Sequence, residues 1–151
     1  MRTPHELADA VASFVDAQRN GPCSADELAS TERRLGITLP ADARAFYERM
    51  NGTADMTDVD HGLITLWSLD KWQRVEEGAP QYTQGHPANT VVFADHSYWC
   101  WAYGARFSAE TPDRMEVVLV ANGAPVPIAE TFTDFVQMVL SGDQALYGKA
   151  G

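Results

Sequence analysis

The densest group of side chains able to bind a ligand is Asp58-Val59-Asp60-His61, with Asp95-His96 a shorter second group. Carboxylates and imidazoles are donors that divalent cations use, but spacing decides whether they close on an ion. An EF-hand loop needs a longer ladder of oxygen donors and a closing glutamate at its twelfth position, and Gly62 through Trp67 supply none. The other histidines, His5 and His86, fall in separate segments, and no H-E-x-x-H occurs. The reading is a solvated acidic loop, with no metal and no other cofactor.

Nucleophilic chemistry is no better served. Cys100 lies between Trp99 and Trp101 in an expected strand, the setting of a small core residue rather than a thiolate. Cys23 stands close to an expected helix N-terminus, which would favour the thiolate, yet no base neighbours it in sequence. There is no G-x-S-x-G and no glycine-rich phosphate loop; Asn51-Gly52 and Ala121-Asn122-Gly123-Ala124 read as turns. No catalytic residue is assigned, and an enzyme is not expected. Trp67, Trp72, Trp99 and Trp101 could form a ligand cradle, an interface anchor or core. Aromatic residues in strands are usually core, so Trp72, on an expected short helix beside a long loop, is the one expected to be exposed.

Bulk composition narrows the classes further. The 151 residues suggest one domain (1–151) with a sizeable core, and 45% hydrophobic residues fit a globular protein. Against 11 basic residues stand 21 acidic ones, a formal charge of −10. Such a surface repels phosphate backbones and attracts a basic protein partner, although acidity that merely keeps the chain soluble is the plainer account. Two cysteines without a C-x-x-C pair fit free thiols in a reducing compartment. The N-terminus lacks an apolar signal core and no stretch approaches membrane-spanning length, so a cytoplasmic protein without a membrane contact is expected.

The elements that would carry these residues are well punctuated. Thr3-Pro4-His5-Glu6 and Ser24-Ala25-Asp26-Glu27 are capping boxes that open two helices, the first ending near Asn20 and the second at Gly36. A third helix runs from Pro40 to Met50, with Pro40 at the first helical position, Asp42 in the first turn and a left-handed exit at Asn51-Gly52. Leu39, Ala43, Phe46, Tyr47 and Met50 give it an apolar stripe. Residues 52–62 read as an acidic loop, 62–67 as a strand, 68–75 as a short helix and 76–89 as a long loop. Strands follow at 90–94, 97–104 and 115–121, then a turn at Asn122-Gly123, a short strand at 126–128 and a helix opened by Thr131. This order predicts an α+β domain, with N-terminal helices and a C-terminal helix packed on a central antiparallel sheet.

The ordered set Leu35-Gly36, Leu39-Pro40, Phe46-Tyr47 and Asn51-Gly52, followed by Leu66-Trp67-Ser68-Leu69, resembles the signature of the SUKH superfamily. That superfamily takes in a fungal cell-wall-synthesis regulator and many bacterial immunity proteins. The resemblance implies that Leu39, Pro40, Phe46, Tyr47, Asn51 and Gly52 are structural. It also implies a small non-enzymatic domain that binds and neutralises a cognate toxin domain, in many cases a nuclease and therefore basic. A regulatory or scaffold domain binding another cellular protein is the alternative. One departure is the turn before the aromatic strand, where Ala94-Asp95-His96-Ser97 replaces a glycine-rich phrase. For the partner contact, the expected residues are Asp55, Asp58, Asp60, Glu76 and Glu77, with Trp72 as anchor. Direct nucleic-acid binding is not expected.

Overall fold

The computed structural model describes residues 2–14, 20–53, 64–78, 90–96, 101–108, 110–111, 114–121 and 126–147. Reciprocal capping sets the first two helices. Around α1 (Pro4–Phe14) the Thr3 N–H donates to Glu6 Oε1 at 3.0 Å and the Glu6 N–H to Thr3 Oγ1 at 3.1 Å. Ser24 and Glu27 repeat the exchange at α2 (Ala25–Leu35), and Gly36 closes that helix in the left-handed region at φ 67°. The third helix, α3 (Ala41–Arg49), begins one residue later than expected, with Pro40 extended at the cap position.

Its exit also differs from expectation. Met50 ends the helix in an extended conformation, φ −154°, so no left-handed residue terminates it. The left-handed residue is Gly52, φ 76°, and close approach is the reason. A Cβ there would collide with the Leu66 carbonyl oxygen and lie 2.8 Å from the Trp67 carbonyl.

After β1 (Ile64–Leu66), the short helix expected over 68–75 is broken into three pieces. A 3-10 turn (Leu69–Lys71), β2 (Gln73–Arg74) and α4 (Val75–Gly78) take its place. Long-range partners explain the break. The Arg34 guanidinium on α2 donates to the Leu69 and Trp72 carbonyls at 2.8 and 2.7 Å, while Gln73 and Arg74 pair with Val92 and Val91. Then follow β3 (Thr90–His96), β4 (Trp101–Arg106), β5 (Glu116–Val120), β6 (Val126–Ala129), α5 (Phe132–Ser141) and a closing 3-10 turn (Gln144–Tyr147). Asp95 and His96 belong to β3, paired with Ala102 and Trp101, rather than to a turn. The aromatic strand continues to Arg106, two residues past its expected end, because Ala105 and Arg106 pair on both sides. Its expected first residues, 97–100, and the turn at Asn122-Gly123 lie outside the described residues.

The strands form one antiparallel sheet in the order β1-β3-β4-β5-β6, with β2 also on β3. Helices α1, α3 and α5 pack on one another, and α5 reaches the sheet. The join is aromatic: Phe46 on α3 meets Phe132 on α5 at 5.1 Å, and Phe135 meets Phe93 and Tyr103 on the sheet at 5.2 and 5.1 Å. Each such ring contributes roughly 1.5–3 kcal/mol by leaving water, so this seam fixes the layer of helices on the sheet. The result is the α+β architecture that the element order predicts.

Candidate partner-binding surface

The signature residues lie in and around α3. The Leu39 N–H donates to Glu32 Oε2 at 2.7 Å, the same oxygen that Arg44 reaches at 2.8 Å. Leu39, Pro40, Phe46 and Tyr47 are buried, and the Tyr47 hydroxyl donates to the Trp67 carbonyl at 2.8 Å. Burial pushes that phenol well above its ordinary range. Asn51 Oδ1 accepts the Leu69 N–H at 2.8 Å, and Gly52 lets the chain pass against β1. Leu39 ties the start of α3 to α2, Phe46 meets α5, and Tyr47, Asn51 and Gly52 hold the end of α3 to the chain around β1. None presents a reactive group.

Trp72 is not exposed. Its side chain is wholly buried, edge-on to Tyr47 at 5.4 Å and tilted against Phe93 at 5.5 Å. Its indole N–H donates to the Trp67 carbonyl at 3.1 Å, sharing that acceptor with Tyr47. A short helix beside a long loop suggested a surface position, but the break at Leu69–Lys71 turns the ring inward. Trp72 is therefore a core residue and cannot anchor a partner in this structure.

The expected acidic contact divides. Asp55, Asp58 and Asp60 lie outside the described residues. Glu76 and Glu77 are exposed on α4, but Glu77 Oε1 lies 3.6 Å from Arg74 Nη1, and Arg74 Nη2 donates to the Leu35 carbonyl at the end of α2. Arg33 and Arg34 are exposed nearby on the last turn of α2, so this end of the molecule mixes both signs.

A different surface carries exposed carboxylates beside an exposed apolar side chain. The strand β6 ends the sheet order, and Val126 upon it is 51% exposed, the one large hydrophobic side chain so exposed among the described residues. Glu130 and Asp134 stand exposed where β6 passes into α5. The sequence reading missed this edge, although a signal was present: between Arg114 and Lys149 there are Glu116, Glu130, Asp134 and Asp143 and no Lys, Arg or His.

The other reactive side chains are built into packing. Burial pushes the Cys23 thiol up to about 12, with the Glu27 and Asp70 carboxylates adding to the effect, so the nearby helix N-terminus does not make it a thiolate. Asp95 Oδ1 accepts the Trp67 indole N–H at 2.7 Å. His96 stacks on Trp101 at 4.2 Å and 12°, with Tyr147 edge-on. Neighbours in sequence, these two point to opposite faces of the sheet. Among the described residues no three His, Cys, Asp or Glu side chains converge as a metal site would require. His61, His86 and Cys100 lie outside them.

The model of the SMI1 / KNR4 family (SUKH-1) matches residues 22–138. The chain belongs to that family. The SUKH-1 match begins just ahead of α2 and ends within α5, so it contains the whole sheet and all six signature residues. Helix α1 precedes it, yet packs against both α3 and α5 as part of the same layer. No curated protein matches the chain. No helix among the described residues is long and apolar enough to cross a membrane.

Proposed function

We propose that this SUKH-1 domain is a non-enzymatic protein-binding module, an immunity protein that binds a cognate toxin domain and neutralises it. The single observation that carries the reading is the formal charge of −10, borne by a fold whose signature residues are all engaged in packing. A partner with a basic active surface, as a nuclease has, would be steered to such a chain and its lysines and arginines matched by carboxylates. On this reading the protein acts in the cytoplasm and needs no cofactor. Glu76 and Glu77, with Asp55, Asp58 and Asp60, remain proposed contact residues; Trp72 is withdrawn from the set.

The test is co-purification of the tagged protein with the product of the adjacent gene. A salt-sensitive 1:1 complex that silences a toxic neighbour is the expected result. A harmless neighbour and no complex would favour the alternative, a regulatory or scaffold domain for another cellular protein. Charge reversal of Asp55, Asp58 and Asp60 together then decides their part: unchanged affinity at low salt removes them from the contact.

A further inference from the structure

We infer that the outer edge of the sheet, strand β6 with the start of α5, is a docking surface for an extended, positively charged segment of the partner. The inference rests on the protein-binding reading and adds a surface that the signature does not mark. Three observations carry it. First, β6 is the last strand in the sheet order, so the main-chain groups on its outer side face no further strand among the described residues. Second, Val126 is half exposed on that strand, while every valine of β5, the strand that β6 covers, is buried. Third, the exposed charges on β6 and the first turn of α5 are acidic, Glu130 and Asp134, and no base occurs in the sequence between Arg114 and Lys149. Arg106 on β4 is already paired with Glu116 at 3.4 Å, and Arg114, exposed ahead of β5, is a cation that the strand register brings toward Glu130.

These features select among occupants. A second copy of the chain would bring the same carboxylates against Glu130 and Asp134. A segment with alternating apolar and basic side chains meets the edge with opposite charge. One apolar side chain rests on Val126, and its lysines or arginines reach Glu130 and Asp134.

The experiment uses the full chain labelled with 15N and a synthetic blocked octapeptide of alternating lysine and valine as probe, at low salt. Amide shifts concentrated at Val126, Ile128, Ala129 and Glu130 are expected. The double variant Glu130→Lys, Asp134→Lys should weaken binding about tenfold or more, as removal of close charge pairs does, and Val126→Asp should weaken it likewise. Thermal midpoints of the variants, measured alongside, confirm that they remain folded. Shifts centred on another surface, affinity unchanged in the double variant, or self-association through this edge would each overturn the inference. The same double variant, tested with the co-purified partner, separates the two claims. A partner bound equally well by both proteins overturns the edge and leaves the immunity reading intact. Absence of any partner overturns the immunity reading, and the peptide titration then decides the edge by itself.

Discussion

The seam beneath α3 and the outer edge of the sheet solve opposite problems. At the seam, the Tyr47 hydroxyl and the Trp72 indole converge on the Trp67 carbonyl, Asn51 caps Leu69, and Gly52 removes a side chain that would collide with β1. At β6 an apolar side chain faces solvent, and Glu130 and Asp134 stand exposed where the strand passes into α5. The family signature has no residue in the second region. A residue pattern shared by such domains therefore reports how the chain folds, and the surface that distinguishes one domain from another must be sought where the signature is silent.

Substitutions at the two regions should differ in kind, and the largest effects belong to the seam. Trp72→Ala should cost about 3–5 kcal/mol, since it empties a fully enclosed ring site and orphans part of the Trp67 acceptor. Urea unfolding measures this directly, and a loss below about 1 kcal/mol would return Trp72 to the surface. Gly52→Ala should cost about 3 kcal/mol, combining a positive φ with a backbone collision. A variant as stable as the parent would mean that α3 does not approach β1 so closely. Asp42→Ala should cost about 1–2 kcal/mol, because Asp42 Oδ2 accepts both the Thr133 N–H at 3.0 Å and the Thr133 hydroxyl at 2.9 Å, tying α3 to α5. Mutating Thr133→Val in the same background should add little if the two act as one unit.

Alkaline pH sharpens the contrast more gently. The Cys23 thiol is raised from 9.0 to about 12 in the fold, so above pH 9 the unfolded chain releases a proton that the folded chain keeps. Cys23 therefore contributes stability that is complete below pH 9 and declines as pH rises from there toward about 12. Denaturant midpoints at successive pH values should fall less steeply between pH 9 and 10 in Cys23→Ala; an unchanged slope would show the thiol to be accessible. The smallest effect is expected at the edge, where Glu130→Lys should move stability by no more than about 0.5 kcal/mol. A large loss there would make Glu130 structural and weaken its role in docking.

Much of the fold was legible because its signals are local. Thr3 with Glu6, Ser24 with Glu27, Gly36 and Thr131 each act within four residues, and each stands where a reading of caps puts it. The ordered signature pointed to the family that matches residues 22–138. What escaped depends on distant partners. The Leu69–Lys71 turn is shaped by Arg34, 35 residues from Leu69 and 38 from Trp72, and the Asp42–Thr133 tie spans 91 residues. Neither is written in the periodicity of its own segment. The exposure of β6 was illegible for a related reason, since a strand's place at the rim depends on the order in which all the others assemble.

One contact near the seam sets where such a protein can change. The Thr53 N–H donates to the Leu66 carbonyl at 2.8 Å, and the Leu66 N–H returns a bond to Thr53 Oγ1 at 3.0 Å. The chain that leaves at residue 53 is thus clasped to the chain that returns at residue 66, with Thr53 and Leu66 both buried. Lengthening the stretch between clasped ends is thermodynamically mild, about 0.6 kcal/mol for each doubling. The clasp works as an anchor: with Thr53 and Leu66 locked to each other, a change of length between them need not be passed on to α3 or β1.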